Sequence, residues 1–310
     1  MRVLAVDIGG THVSCGAVED DRLLDVISIE TDSRGLLTNL LPRIADALQA
    51  LETRHGGGFS GIGVGFCGLV DSCSGRVVAT NHKYADATEI NLPAWAQQQF
   101  GLKLVIENDS RMALLGERHA GAAVGSDDAV MITLGTGIGT AAVINGKLLR
   151  GKHSQAGCLG GHFTVELDGR VCSCGARGCF EAEASTYALN EVCRTWPGVE
   201  QSPLFVEERV DFARLFHFAD LGDSVAAEIR ARSVRIWAAC ALSLVHAYDP
   251  ELIVLGGGVM RSSYPILEAI QNHLDTFAWT PWGRVGVRRG ALASNAALLG
   301  ALPLYQMSRR

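Results

Sequence analysis

No apolar run in this sequence approaches the roughly 20 residues that a membrane-spanning helix needs, so no membrane partner is expected. Long runs of one charge sign are missing too. Lys and Arg number 27 against 33 Asp and Glu, a formal net charge of −6, which leaves no extended basic face for nucleic acid. The opening "MRVLAVDIGG" has no charged n-region, sustained apolar stretch or small-residue cleavage site; it reads as a strand from the start. Without a leader, the nine cysteines, an odd number, are expected as thiols, free or on metal, in a reducing compartment, the cytoplasm. What is present is 310 residues, 48% apolar and 19% charged. That suffices for two domains with a substantial core.

Strands and helices alternate along the chain. "RVLAVDIGGTHVSCGAV" reads as strand, glycine turn, strand, and "RLLDVISIET" as a further strand. A helical pattern follows in "LLTNLLPRIADALQALETRHGGG", stopped by its glycines. "LKLVIENDSRMALLGERHA" passes from strand to helix, and then "AVMITLGTGIGTAAVINGKLL" repeats the opening pattern. This quasi-repeat predicts two related lobes facing each other across a cleft. Residues 1–110 with 296–310 are expected to form the first, and 111–295 the second. Hairpins mixed with crossover helices indicate an α/β fold that is not purely parallel.

Neither familiar phosphate loop is present. "DIGGTHVSCGAV" lacks the lysine and the helix of a P-loop, and the residues after its glycines read as a strand, unlike a dinucleotide fingerprint. A tight hairpin remains. Gly9 and Gly10 can bring bare N–H groups to an anion, the Thr11 hydroxyl can add a donor, and Asp7 is placed to hold a water of a magnesium ion on that anion. One such hairpin is an ordinary turn. A second, Gly135-Thr136-Gly137, is what a pincer around a nucleotide's phosphates requires. "LGGGV", with Gly256 and Gly257, is a third backbone-exposed turn, suited to a nucleoside.

"IENDSR" sets Glu107, Asn108 and Asp109 where a strand meets a helix. Asn and Asp serve there as N-caps; an Asp there can equally accept the proton of a hydroxyl attacking a phosphoryl group. Farther on, "HFTVELDGRVCSCGARGCFEAEAS" gathers His162, Cys172, Cys174 and Cys179. One imidazole and three thiolates form a complete tetrahedral set for structural zinc. Three cysteines cannot all pair as disulfides; a redox pair is the competing reading.

"DIGGT", "GFCGLVD", "ATN", "ENDS", "LGTGIG", His162 with "CSCGARGCFEAEAS", and "LGGGV" together resemble, nearly end to end, the ROK family (repressors, open reading frames, sugar kinases). Its members are bacterial proteins of the actin-like ATPase and sugar kinase superfamily. The resemblance implies a two-lobed actin-like ATPase (ribonuclease H-like) fold with ATP and sugar in the cleft. It also implies an ATP-dependent hexokinase of glucokinase type, forming a dimer or tetramer. Asp109 falls on the base that takes the proton of the sugar's 6-hydroxyl. Asn108, Asn81 and the backbone at Gly68 fall on sugar contacts, His162 on a histidine that both ligates zinc and touches sugar, and Glu181 on an acidic sugar contact. "DIGGT" and "GTGIG" fall on the phosphate turns of Mg-ATP, and "LGGGV" on the adenosine side.

The chain departs from the family pattern twice. Where the family has Glu-x-Gly-His, this chain has "AGCLGGH", with Leu159 or, allowing one insertion, Cys158 at the glutamate position. Neither makes the charge-assisted bonds of a carboxylate; Gln155 could supply an amide partner in its place. "ENDAN" is replaced by "ENDSR", whose Arg111 is expected at the surface. The alternatives to a kinase are a sugar-binding protein weak in catalysis and a sugar-responsive repressor. The repressor is disfavoured, because a phosphate turn beginning at residue 7 leaves no room for a helix-turn-helix ahead of it.

Overall fold

Strands β1 (Arg2–Ile8), β2 (His12–Glu19) and β3 (Arg22–Glu30) form an antiparallel meander, β1 and β2 meeting at residues 9–11. β1 is buried almost throughout, as a central strand should be. Its other edge pairs in parallel with β4 (Ile62–Phe66), which pairs in parallel with β7 (Leu104–Asn108), giving the order β3-β2-β1-β4-β7. β5 (Leu69–Asp71) and β6 (Arg76–Ala79) form a separate two-stranded hairpin. The computed structural model describes residues 1–80 and 83–309; Asn81 lies outside them.

The helices of this sheet follow their apolar spacing. In α1 (Leu37–Arg54), Leu37, Leu40, Leu41, Ile44, Leu48 and Leu51 recur along one stripe and are buried. α2 (Leu92–Phe100) is capped by Asn91, whose side chain accepts the amide of Ala94, and it stops at Gly101 in the left-handed conformation. α3 (Asp109–Ala120) begins directly from the end of β7.

The opening arrangement then recurs. β8 (Ala129–Leu134) and β9 (Ile138–Ile144) are an antiparallel hairpin around residues 135–137, with β10 (Lys147–Leu148) beyond. After α4 (Phe180–Ala184), α5 (Thr186–Arg194), α6 (Phe212–Asp220) and the long α7 (Ser224–Tyr248) comes β11 (Leu252–Gly256), parallel to β8. β12 (Gly286–Arg289), reached through α8 (Ile266–Phe277), is parallel to β11. The order β10-β9-β8-β11-β12 matches that of the first sheet, with hairpin and parallel pairs in corresponding places. The quasi-repeat in the sequence is therefore a repeat of topology. Among the described residues no helix is long and apolar enough to cross a membrane.

By packing, the chain divides into one unit of residues 1–126, 148–158 and 290–310, and another of 127–147 and 159–289. From sequence, nearly all of α3, residues 148–158 and residues 290–295 are expected in the C-terminal lobe; here they belong to the first unit. Long-range contacts account for this. α9 (Ala296–Leu299) and α10 (Ala301–Met307) return to pack on α3 and on β1 and β4. Buried Glu117 of α3 also accepts the amides of Ala291 and Leu292, both at 3.0 Å.

α3 and the C-terminal helices touch backbone to backbone. A Cβ on Gly116 would overlap the carbonyl oxygen of Ala296, and one on Gly300 that of Met112. Gly116→Ala is expected to lower stability by about 1–3 kcal/mol through overpacking. Urea unfolding measures this, and an unchanged midpoint would show that the contact yields without cost.

Candidate active site

The strand-to-helix junction in the first unit separates the two roles that its polar residues could play. Asn108 takes the N-cap: its Oδ1 accepts the amides of Ser110 (3.1 Å) and Arg111 (3.2 Å). Its Nδ2 donates to the carbonyl of Gly68 (3.1 Å) and to Asp109 Oδ1 (2.9 Å), and Asp109 Oδ1 also accepts the Ser110 amide at 2.8 Å. Asp109 is thus the first helical residue, its carboxylate oriented by neighbours and set at the positive end of α3. Burial raises its carboxyl above the usual range, opposed by the charge of Lys83 and by the bonds from Ser110 and Asn108.

The first glycine turn belongs to the same unit. The Gly9 amide donates to the His12 carbonyl (3.1 Å), and the Tyr84 hydroxyl to the Gly9 carbonyl (2.7 Å). The amides of Ser33 and Thr31 donate to the carbonyls of Gly10 and Thr11, both at 3.0 Å. A trans peptide points its N–H opposite its C=O. Anchoring the carbonyls of Gly9 and Gly10 therefore aims the amides of Gly10 and Thr11 away from those partners, as anion binding requires; Thr11 is exposed. Burial, reinforced by the Asp109 carboxylate, pushes Asp7 up to about 7. Lys83 stands by the turn, its Nζ 4.0 Å from where a Cβ on Gly10 would be. Sequence reasoning missed Lys83, because a single lysine in an irregular segment has no pattern.

Arg111 overturns its surface assignment, for it is fully buried. Its Nη1 donates to Glu107 Oε1 and to the Ser154 carbonyl, both at 3.1 Å, and its Nη2 to the Ala156 carbonyl at 2.6 Å. Glu107, also fully buried, receives Arg150 Nε and the Ser72 hydroxyl on Oε2, both at 2.7 Å, and the Asn108 amide on Oε1 at 3.0 Å. Arg111 thus pins residues 154–156 to the first turn of α3, just ahead of Cys158. That half-buried thiol donates to the Gln155 carbonyl at 3.4 Å. Burial raises its pKa, Arg111 lowers it, and Glu107 and Asp109 raise it. Cys158 therefore lies within electrostatic reach of Asp109, whereas Leu159 belongs to the other unit. The Gln155 side chain is exposed.

In the second unit, Gly135 and Thr136 share a cavity of about 570 Å³ with Phe212, Phe216, His217 and Gly258. This is the size of a small-molecule site. Gly256 and Gly257 immediately precede Gly258 at the end of β11. His162, Cys172, Cys174 and Cys179 bring their donor atoms within 4.8 Å of one another. The His162 Nδ1 to Cys172 Sγ distance is 3.5 Å, and Cys174 Sγ to Cys179 Sγ is 3.7 Å. Tetrahedral zinc with Zn–S near 2.3 Å has S···S edges of about 3.8 Å, whereas a disulfide would be near 2.05 Å. The donor set therefore fits a metal, and the thiols are unpaired. Glu181 Oε2 accepts the amide N–H of Ile138 (2.9 Å). Buried Glu183, unremarked in the sequence, accepts Arg170 (2.8 Å) and Arg232 (2.6 Å) and so clasps the cysteine loop to α7.

The ROK family model matches residues 3–308 of the chain. A glucokinase of Thermotoga maritima is 32% identical over 99% of this chain and 98% of its own. The crystal structure of a ROK hexokinase from Thermus thermophilus superposes with a TM-score of 0.83 at 31% identity, covering 100% of this chain and 99% of that one. A ROK family glucokinase from Streptomyces griseus, solved with glucose and AMPPNP, gives 0.82 at 28% identity, covering 98% and 99%. The mixed α/β architecture is that of the actin-like ATPases.

Replacing Arg111 by Ala leaves the buried Glu107 carboxylate short of a partner and frees two carbonyls. A loss of about 3–5 kcal/mol is expected, read by urea unfolding; an unchanged midpoint would refute the network's structural role.

Proposed function

The chain belongs to the ROK family and is a sugar kinase, and we propose that it transfers the γ-phosphate of Mg-ATP to the 6-hydroxyl of a hexose. Glucose, a related hexose or an N-acetylhexosamine is the substrate class. The observation that carries this reading is Asp109, held by Asn108 and Ser110 in the same unit as the first glycine turn and Asp7.

Asp109 accepts the 6-hydroxyl proton as the sugar oxygen bonds to the γ-phosphorus and the bond to the bridging oxygen breaks, releasing ADP. Such a transfer depends on alignment more than on a strong base. The amides of Gly10 and Thr11 and the turn at Gly135, Thr136 and Gly137 hold phosphate oxygens, with Lys83 adding positive charge beside Gly10. Asp7 would hold a water of magnesium, an ion that neutralises charge on the phosphates when bound. Gly256 and Gly257 border the nucleoside. Gly68, Asn81, Asn108, His162 and Glu181 contact sugar. Cys158 stands in place of a carboxylate, which weakens the grip on a hydroxyl and leaves room for a different substituent there. His162, Cys172, Cys174 and Cys179 would hold zinc, which with four protein ligands would serve to organise the loop.

A coupled ADP-release assay across hexoses and acetylated hexosamines should show turnover with at least one. Asp109→Asn, with its fold intact, should lose at least ~100-fold in kcat. Silence across the panel, or an active Asp109→Asn protein, would overturn the reading. Asp7 must be ionised to serve magnesium. With its carboxyl pushed up to about 7, kcat/KM should fall as pH drops through that value at limiting magnesium. Added magnesium favours the ionised form and should move this acid limb to lower pH; a limb indifferent to magnesium would remove Asp7 from that role.

A further inference from the structure

The second glycine turn is bound to the cysteine loop by a set of contacts that the phosphoryl-transfer reading leaves unused. Glu181 lies two residues beyond the metal-ligating Cys179. Its Oε2 accepts the Ile138 amide at 2.9 Å, and it fills the space behind Gly137, where a Cβ would overlap that oxygen. The amides at the start of α5 continue the strap: Thr186 donates to the Gly135 carbonyl (3.1 Å) and Tyr187 to the Thr136 carbonyl (3.0 Å). The Tyr187 hydroxyl reaches back to Cys172 Sγ, another of the four clustered donors, at 3.8 Å. Glu181 as a residue is 8% exposed, with the Ser173 hydroxyl 3.5 Å from its Oε1.

We infer that Glu181 is a positioning residue for the phosphate-binding turn at 135–137, through which the His/Cys cluster sets the affinity for the nucleotide. This rests on the kinase reading and extends it: one carboxylate serves the sugar through its charge and the nucleotide turn through its acceptor oxygen. The two roles predict opposite responses. A carboxylate near the turn repels phosphate through its charge, so if charge governed, neutralising Glu181 would tighten nucleotide binding. If the turn needs the acceptor, deleting it weakens binding, and an uncharged acceptor of the same shape preserves binding.

Calorimetric titration of the zinc-loaded protein with AMPPNP distinguishes these cases, with zinc per chain measured for each variant. With zinc near one per chain throughout, Glu181→Ala should weaken AMPPNP by about tenfold or more, as expected for a lost bond to a charged acceptor. Glu181→Gln, which keeps an oxygen for Ile138, should stay within about twofold of wild type while its KM for sugar rises. Should Glu181→Ala disturb folding, Gly137→Ala alone serves instead, and AMPPNP binding as tight as wild type in it would overturn the inference; where Glu181→Ala folds, Gly137→Ala is a second arm. It should weaken AMPPNP in the wild-type background and add little in a Glu181→Ala background, because the overlap it creates is with that carboxylate. Wild-type binding left unchanged or tightened by Glu181→Ala would overturn the inference alone, as would full additivity of the two alanine variants. A wild-type protein that fails to bind AMPPNP would overturn the kinase reading and the inference with it.

Discussion

A carboxylate with no access to water has to be neutralised where it stands, and Glu107 imposes that requirement on the first unit. Its oxygens take two guanidinium groups, a serine hydroxyl and a main-chain amide. Meeting the demand ties together the end of β7, the first turn of α3, the residue after β5 and residues 150–156. An unpaired ion there would cost several kcal/mol, so these elements are fixed relative to one another. Asp109 stands two residues beyond Glu107 and inherits that rigidity. For a reaction that depends on alignment, a buried ion-pair network beside the base is a way to hold it still.

Both sheets end their first hairpin in a glycine turn, yet the two turns are braced differently. The first leans on the Tyr84 hydroxyl and on amides of the following segment. The second leans on Glu181 and on the start of α5. Repeated topology has thus been given unlike supports. One turn is held by a tyrosine and the segment that follows it, the other from the loop that carries the four clustered His and Cys side chains.

Much of this was legible in the chain. The paired strand–turn–strand patterns marked two similar sheets, and the density of cysteines around 172–179 marked a cluster whose thiols do converge. Arg111 was not legible, because its carbonyl partners lie 43 and 45 residues along and nothing local distinguishes a buried arginine from a solvated one. The bond between Glu181 and the Ile138 amide was hidden for the same reason: its two partners lie 43 residues apart. The packing boundary also escaped local reading. Residues 148–158 join the first unit through bonds to Arg111 and Glu107, which no composition shift announces.

The chain passes between the two packing units at 126/127, 147/148, 158/159 and 289/290. A ribosome therefore delivers β1 and β4 long before α9 and α10, the helices that pack on β1 and on β4. Domains commonly fold in the order of synthesis, but here an early sheet keeps part of its apolar face uncovered while the whole second unit is made. Closing that face requires contacts of great sequence separation, which form slowly. During synthesis the newborn chain thus carries part of a hydrophobic sheet face that waits for residues 296–307. The unit begun first is the one finished last.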